Sequence, residues 1–161
     1  MPKFSKASLD RLLSTHEDLQ RLFFEVIDHY DCTILEGLRS PERQRELVRA
    51  GKSKTLNSKH LKGWAVDVVP CNPIDWSAQG QERMRHFAGF VFGVAAGLGI
   101  VDRLRWGGDW DGDAMTKGDG LRDQSFMDLP HFELTRVDDD DRTQGSDADD
   151  DDSACDDDSG G

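Results

Sequence analysis

SKHLKGWAVDVV, residues 58–69, is the stretch that decides the fold of this chain, because it sets a carboxylate inside an apolar strand. Along residues 64–69 successive side chains point to opposite faces, and Asp67 shares its face with Ala65 and Val69. Burying a carboxylate without a partner is costly in free energy. Asp67 therefore predicts a bound cation in the middle of a β-sheet.

Helices and strands alternate along the rest of the sequence. Apolar residues recur at helical spacing over residues 9–27, with an interruption predicted near Ser14 and Thr15. A second long helix is predicted over residues 82–98. The predicted strands cover residues 32–35, 64–69, 104–106 and 131–134. This order predicts one α+β domain with a small, mainly antiparallel sheet packed against helices.

Three glycines, Gly89, Gly93 and Gly97, lie four residues apart on one face of the second long helix. We expect this face to pack closely against the sheet, because glycines allow two backbones to approach each other. The same spacing occurs in membrane helix dimers, but the apolar stretch is too short to span a bilayer. We therefore assign this helix to the scaffold.

His60 and His131 complete, together with Asp67, a set of two imidazoles and one carboxylate. Zinc takes these ligand types, and three protein ligands leave the fourth tetrahedral position open for water, as in catalytic sites. A lone histidine near an apolar strand is more often a packed or surface residue, so the prediction depends on the complete set. We predict that the three residues bind one catalytic Zn²⁺.

A zinc hydrolase also needs a base that takes a proton from water and returns it to the leaving amine. Asp128, three residues before His131, is the predicted base. Glu133 competes for this role because it shares a strand face with His131. We assign Glu133 a supporting role beside the ligand, as carboxylates near metal-bound histidines commonly have.

Arg39 lies at a predicted junction between a strand and a helix, where a side chain can project into a cleft. Ser40 as N-cap and Pro41 at the first helical position predict that this helix begins directly after Arg39 and stops at Gly51. A cation there could stabilise a developing oxyanion. Two further side chains are predicted to form hydrogen bonds with substrate: Gln44 and Ser58.

Four segments carry a resemblance to a known family: GLRS (37–40), SKH with GWAVD (58–60 and 63–67), WGGDW (106–110) and DLPHFEL (128–134). They resemble the zinc D-alanyl-D-alanine carboxypeptidase and L-alanyl-D-glutamate endopeptidase family, and within it are most similar to phage peptidase endolysins. The resemblance covers roughly residues 19–134. Its Ser-x-His-x6-Asp and Asp-x-x-His elements are specific in combination.

The resemblance implies a role for six residues of this chain. It assigns zinc binding to His60, Asp67 and His131, catalytic base chemistry to Asp128 where many relatives have Glu, and substrate or transition-state contacts to Arg39 and Gln44. The implied activity is hydrolysis of the peptide stem of bacterial peptidoglycan at the L-alanyl-D-glutamate bond.

Three other functions stay open on the sequence. A D-alanyl-D-alanine carboxypeptidase would use the same zinc site on a different bond. A non-catalytic binding module would keep the metal and lose turnover, although the carboxylate at Asp128 argues against it. An interaction protein would act through its acidic tail, and activity that survives deletion of that tail would exclude this alternative.

The charge of the chain is concentrated at its C-terminal end. Residues 138–161 hold twelve Asp and one Arg, which leaves a net charge of -1 for residues 1–137 out of -12 in total. This tail has too few apolar residues to bury, so we predict that it is disordered and follows a zinc peptidase domain over residues 1–137. No basic cluster indicates nucleic-acid binding.

The cysteines and the N-terminus indicate where the protein is made. Cys32, Cys71 and Cys155 form neither a CxxC motif nor a disulfide framework. Residues 1–13 lack the apolar core of a signal peptide. We expect a monomer without membrane insertion, synthesised in the cytoplasm of a host and acting on the cell wall after release.

An acidic loop follows the third predicted strand. Asp109, Asp111 and Asp113 alternate with Gly112 in a pattern like part of a calcium loop, although the later glutamate of an EF-hand is missing. A solvated acidic loop beside the sheet is the favoured explanation of the pattern. The resemblance adds that some endolysins of this family use a calcium-responsive loop here, which predicts a regulatory Ca²⁺ as a second hypothesis.

Overall fold

A computed structural model describes residues 2–71, 73–112 and 126–135 of the chain. Asp113 and the predicted tail over 138–161 lie outside the described residues, so both predictions stay predictions. The helices in the described part are α1 (Lys6–Leu13), α2 (Glu17–His29), α3 (Pro41–Arg49) and α4 (Ala78–Gly97). The strands are β1 (Cys32–Glu36), β2 (Ala65–Pro70), β3 (Leu104–Trp106) and β4 (His131–Leu134). Two short 3-10 helices cover Lys59–Lys62 and Val101–Arg103.

The four strands form one antiparallel sheet in the order β1-β2-β4-β3. This confirms the predicted α+β class and the predicted strands. Because β2 and β4 are neighbours, Asp67 pairs directly with His131 across the ladder. Side chains on directly opposite residues of an antiparallel pair are neighbours on the same face. The register of the sheet therefore brings two of the three predicted ligands together.

The hydrophobic core lies between the sheet and two helices. The ring of Phe132 on β4 contacts Phe23 of α2 and Phe87 of α4 edge to face, at centroid distances of 5.6 and 6.2 Å. Because side chains alternate along a strand, His131 and Glu133 of β4 face the other way. One face of β4 thus packs in the core, and the other face carries polar residues.

Local signals account for the helix boundaries. The interruption predicted near Ser14 is confirmed, since α1 ends before Ser14 and the His16 ring accepts a hydrogen bond from the backbone of Asp18 at the start of α2. α4 begins four residues earlier than predicted, because Ser77 caps it by accepting from the backbone N–H of Gly80. Within the described residues, no helix is both long and apolar enough to cross a bilayer.

The prediction that the α4 glycines pack against the sheet is wrong. A Cβ built on Gly89, Gly93 or Gly97 would meet nothing within 4 Å. The buried face of α4 consists instead of Gly80, Met84, Phe87, Ala88, Val91 and Ala95. The glycines share a helix face because of their spacing, but the larger apolar residues bury more area and so decide which face meets the core.

Candidate metal centre

The three predicted ligands converge in the structure. His60 Nε2 lies 3.2 Å from Asp67 Oδ1, Asp67 Oδ1 lies 3.0 Å from His131 Nδ1, and the two ring nitrogens lie 3.3 Å apart. His60 and His131 are buried, and Asp67 is half-buried. Within the described ranges, no other cluster of three His, Cys, Asp or Glu residues has the spacing of a metal site.

Local chain geometry brings His60 to the sheet. The side chain of Ser58 caps the 3-10 helix Lys59–Lys62 by accepting from the backbone N–H of His60. Gly63 ends this helix with a φ of +68°, a conformation that favours glycine, and a Cβ there would lie 2.9 Å from the carbonyl oxygen of Ser14. The helix and its glycine stop thus place His60 beside the start of β2, seven residues before Asp67.

Hydrogen bonds on the far side of each ring determine which nitrogens are free. His60 Nδ1 donates to the carbonyl oxygen of Gly37 at 2.8 Å, and His131 Nε2 donates to Glu133 Oε2 at 2.9 Å. In their neutral forms the two rings therefore turn bare lone pairs toward each other and toward the Asp67 carboxylate. Three acceptors at such separations repel each other unless a proton or a cation lies among them.

These separations fit a small tetrahedral ion. Ligand atoms bound about 2.0–2.1 Å from Zn²⁺ at tetrahedral angles lie about 3.3 Å from one another. The observed edges of 3.0, 3.2 and 3.3 Å are close to that value. The carboxylate of Glu133 behind His131 is a ligand-supporting contact of the kind found around metal-bound histidines. The donor set and its spacing therefore suit a metal ion.

The charges of the site also favour a bound cation. Burial lowers the pKa of His131, but hydrogen bonds with Asp67 and Glu133 outweigh burial and raise it from 6.5 to about 9. Burial raises the pKa of Asp67, yet hydrogen bonds from His131 and His60 hold it well below its usual range. Without a metal, a proton is thus retained among the three residues, because the site is short of positive charge.

Arg39 lies beside these residues, as its position after β1 predicted. Its guanidinium forms a bidentate ion pair with Glu36 and lies 3.8 Å from Asp67 Oδ2. Its backbone N–H donates to the carbonyl oxygen of His60 at 3.0 Å. The Arg39 side chain is 8% exposed, so its charge is held in place and only partly screened by solvent.

Gln44 occupies a different place from the one predicted. Its residue is 1% exposed and its side-chain oxygen accepts from Arg39 Nη1 at 2.7 Å. Its amide nitrogen donates to Ser53 Oγ at 2.8 Å and to the carbonyl oxygen of Thr55 at 2.6 Å. The expected contact of Gln44 with substrate is therefore corrected, because a buried amide with these partners holds Arg39 and the loop rather than facing the cleft.

Asp128 and Glu133 lie in different electrostatic environments. Burial, and then the nearby charge of Asp67, raise the pKa of Asp128. Burial also raises the pKa of Glu133, but hydrogen bonds from His131 and Arg105 outweigh it and lower that pKa. A carboxylate with a raised pKa is the better proton acceptor near neutral pH. The hydrogen bonds of Glu133 therefore distinguish it from Asp128 as a candidate base, because they lower its pKa.

A glycine allows Asp128 to approach the sheet. A Cβ on Gly107 would lie 2.3 Å from the backbone oxygen of Asp128, so no larger residue fits. The backbone N–H of Asp128 donates to the carbonyl oxygen of Gly107 at 2.7 Å. This contact fixes Asp128 at the end of β3 and one turn before His131.

An open cleft of about 470 Å³ lies over the three ligands. With His60, its walls include six of the sequence-predicted site residues; the other five are Arg39, Ser58, Asp67, Asp128 and His131. Gln44 does not line the cleft. The cleft is therefore where the predicted site residues can meet a substrate.

The acidic loop is only partly described. Asp109 is buried and Asp111 is exposed, and neither belongs to a three-residue group with metal-site spacing within residues 2–71, 73–112 and 126–135. Asp113 falls outside those residues. Calcium binding by this loop stays a prediction.

Three residues to which the sequence analysis assigned no role also shape the site. Glu36 holds Arg39, and Arg105 holds Glu133. The ring of Trp110 lies 5.5 Å from that of His131, and Arg105 stands over the same tryptophan at 5.4 Å. A buried arginine needs an acidic partner. The nearby Glu36 could therefore have been suspected, whereas the other two contacts depend on tertiary structure.

Known proteins are similar to this chain in sequence and fold. The family described as "Phage L-alanyl-D-glutamate peptidase" matches residues 1–135. The L-alanyl-D-glutamate peptidase of Listeria phage A118 is 31% identical over 106 residues, which cover 65% of this chain and 30% of that relative. The crystal structure of the Serratia marcescens L-Ala D-Glu endopeptidase ChiX is 36% identical, with a TM-score of 0.63 over 83% of this chain and 90% of that one. The chain therefore belongs to the phage L-alanyl-D-glutamate peptidase family.

Proposed function

We propose that this chain is a zinc peptidase that hydrolyses the L-alanyl-D-glutamate bond in the peptide stems of bacterial peptidoglycan. The observation that carries the proposal is the convergence of His60, Asp67 and His131, with donor atoms 3.0–3.3 Å apart, at the base of a cleft that Asp128 also lines. Family membership supports the choice of the L-alanyl-D-glutamate bond. The arrangement of the three residues and Asp128 supports hydrolysis at a metal ion. The cell wall is then the site of action and host lysis the biological role.

Zinc is the metal that suits the donors best. Two imidazole nitrogens and one carboxylate oxygen form a recurrent set of protein ligands in catalytic zinc sites. A zinc ion held there supplies a water of lowered pKa and polarises the carbonyl group of the peptide. The protein contributes the rigidity of the set, since each ring is held from behind by Gly37 or Glu133.

Asp128 acts as the general base and then as the general acid. It takes a proton from the attacking water and delivers it to the nitrogen of the leaving amine, so one carboxyl group serves both steps. Its raised pKa suits both steps, because a carboxyl group with an ordinary pKa holds a proton poorly near neutral pH. Glu133 is excluded from this role by its partners, Arg105 and His131.

Arg39 stabilises the negative charge that develops on the carbonyl oxygen. The guanidinium is held by Glu36 and Gln44, so little reorganisation is needed when the charge appears. Ser58 lines the same cleft, and its hydroxyl caps the turn that carries His60 while offering a donor to the peptide. Both side chains are therefore held in place by protein contacts before the substrate arrives.

Digestion of purified peptidoglycan, followed by mass spectrometry of the fragments, tests the bond and the chemistry together. We expect new L-alanine carboxyl ends and D-glutamate amino ends, loss of activity on chelation, and recovery with zinc. Release of free D-alanine would identify a D-alanyl-D-alanine carboxypeptidase instead. Binding without any product would identify a non-catalytic module.

Substitution at Asp128 tests the base. We expect Asp128→Asn to lower turnover by about 10²–10⁴-fold while bound zinc stays stoichiometric, because the base is not a ligand. Asp10→Asn, at an exposed residue of α1, is the matched control and should keep full activity. Near-normal turnover of Asp128→Asn would transfer the proton chemistry to another residue.

A further inference from the structure

We propose that Lys54, assisted by Lys52, binds the free carboxylate of the glutamyl residue that follows the scissile bond. The inference rests on the proposed function and names the substrate group that one wall of the cleft recognises. A glutamyl residue has two carboxyl groups, and only one of them continues the peptide chain. The other keeps its charge, whereas the alanine on the opposite side of the bond carries none. The substrate therefore offers one anion next to the bond that is cut.

The lining of the cleft contains more lysine and arginine side chains than carboxylates. Three of its lining residues are lysines: Lys52, Lys54 and Lys59. In the part of the chain that the structure describes, none of them pairs with a carboxylate. Four acidic residues line the cleft: Glu36 and Glu133 are bound by arginines, Asp67 lies against His60 and His131, and Asp128 lies near the same histidines and Arg39. The lysine charges are thus available to a ligand.

This positive charge is local. Residues 1–137 are nearly neutral, so a group of cleft lysines that pair with no described carboxylate does not follow from a generally basic protein. Like charges that line a cleft raise the local concentration of anions and orient them on approach. The simplest alternative for an exposed lysine is solvation, but solvation does not require three lysines around one cleft.

The loop that carries Lys54 is tied to the catalytic residues. Gln44 donates to Ser53 Oγ and to the carbonyl oxygen of Thr55, the two residues on either side of Lys54. The same amide accepts from Arg39. A buried glutamine thus sets the position of Lys54 relative to Arg39.

A row of rings places Lys54 along the cleft. Its ammonium group lies 4.3 Å from the ring centroid of Phe126, which stacks on Trp110 at 6.3 Å. Trp110 in turn packs against His131 at 5.5 Å. A cation over an aromatic ring keeps part of its charge open to an anion on the other side. Lys59 differs because it stands over Trp64 on the 3-10 helix side of the wall.

Two matched peptides test this subsite. They share one sequence with the L-alanyl-D-glutamyl bond and differ only in the second carboxyl group, which is free in one and a carboxamide in the other. We expect the intact protein with zinc to prefer the free carboxylate by about tenfold in kcat/KM, the effect of one charge-assisted contact in a partly open cleft. Added salt should reduce that preference, because it screens the charges.

Substitutions assign the preference to Lys54. Lys54→Met should bring the ratio of the two kcat/KM values close to one, and Lys54→Arg should retain the preference because it retains the charge. Lys62→Met is the matched control, because Lys62 also stands over an aromatic ring but lies outside the cleft lining. It should keep the wild-type ratio.

The outcomes separate this inference from the proposed function. Equal hydrolysis of both peptides by the wild-type protein would overturn the carboxylate subsite and leave the peptidase standing. A preference that survives Lys54→Met would overturn the assignment to Lys54. Hydrolysis of neither peptide would overturn the proposed bond specificity, and the subsite with it.

Discussion

Two arginine–glutamate pairs flank the predicted metal ligands and differ in what they hold. On one side Arg39 binds Glu36, and on the other Arg105 binds Glu133 through two of its nitrogens. The Arg39 side chain is 8% exposed and the Arg105 side chain 37%. The pair of Arg39 and Glu36 is thus the closed pair, with its arginine buried. The pair of Arg105 and Glu133 is the open pair, with its arginine partly exposed to solvent.

The remaining contacts of each glutamate explain the difference. Glu36 uses both oxygens on Arg39, so this pair holds an arginine beside Asp67. Glu133 uses one oxygen on Arg105 and the other on His131 Nε2, so this pair holds a ligand ring. The same two residue types therefore hold a positive charge beside Asp67 on one side and the ring of His131 on the other.

The largest effect should come from removing a ligand, which eliminates the centre that both pairs surround. We expect His60→Ala and His131→Ala to lose stoichiometric zinc together with hydrolysis, because two protein ligands hold zinc weakly. Metal analysis of the purified variants, alongside an activity assay, measures both losses. A variant that keeps one zinc per chain would show that the ligand set is misassigned.

Arg39→Lys tests the closed pair. We expect kcat to fall by about 10²-fold with metal content unchanged, because a lysine cannot keep a bidentate contact with Glu36 and also reach Gln44 and the oxyanion. Arg105→Lys, on the open side, should lower kcat much less. Steady-state kinetics with zinc in excess compares the two, and equal losses would end the distinction between the pairs.

Glu133→Gln tests the open pair. We expect zinc affinity to fall by about 10–100-fold and activity to recover at high zinc, because the amide is a weaker acceptor for the N–H of His131. Glu36→Gln is the matched change on the other side and should leave zinc affinity near the wild-type value. Zinc titration with a competing chelator gives both constants. A larger loss for Glu36→Gln would reverse the roles that the contacts indicate.

The smallest effect concerns pH in the absence of metal. The pKa of His131 is raised from 6.5 to about 9, so protonation of this ring stabilises the fold fully below pH 6.5. That contribution is lost as the pH rises through about 9. Thermal unfolding in chelator should therefore show a lower Tm at pH 9 than at pH 6. Zinc should remove the trend, since it replaces the proton, and a metal-free Tm that does not fall would show that His131 keeps an ordinary pKa.

Most of the fold could be predicted because its signals are local. Alternation over residues 64–69 predicts β2, and Ser40 as N-cap with Pro41 at the first helical position predicts where α3 begins. The α4 glycines show the limit of such signals. Their spacing defines a helix face, but only the competition between faces for the core decides which one is buried.

The site was predictable to the same extent. His60, Asp67 and His131 are ligand types in specific contexts, and the register of β2 and β4 confirms that two of them are neighbours. The role of Gln44 was not predictable, because a polar residue on an amphipathic helix looks the same whether it meets substrate or a buried arginine. Its partners come from residues 39 and 53–55, which only folding brings together.

The amino-acid sequence by itself determined which atoms can bind a metal, which family the chain belongs to and which segments become strands and helices, because each depends on residue types at short spacing. The tertiary structure alone decided that Arg39 is closed in by Glu36 and Gln44 and that Arg105 binds Glu133. It also decided that the lysines of the cleft lack carboxylate partners in the described part of the chain. The physical reason is that the partner of a buried charge is set by long-range packing and strand register.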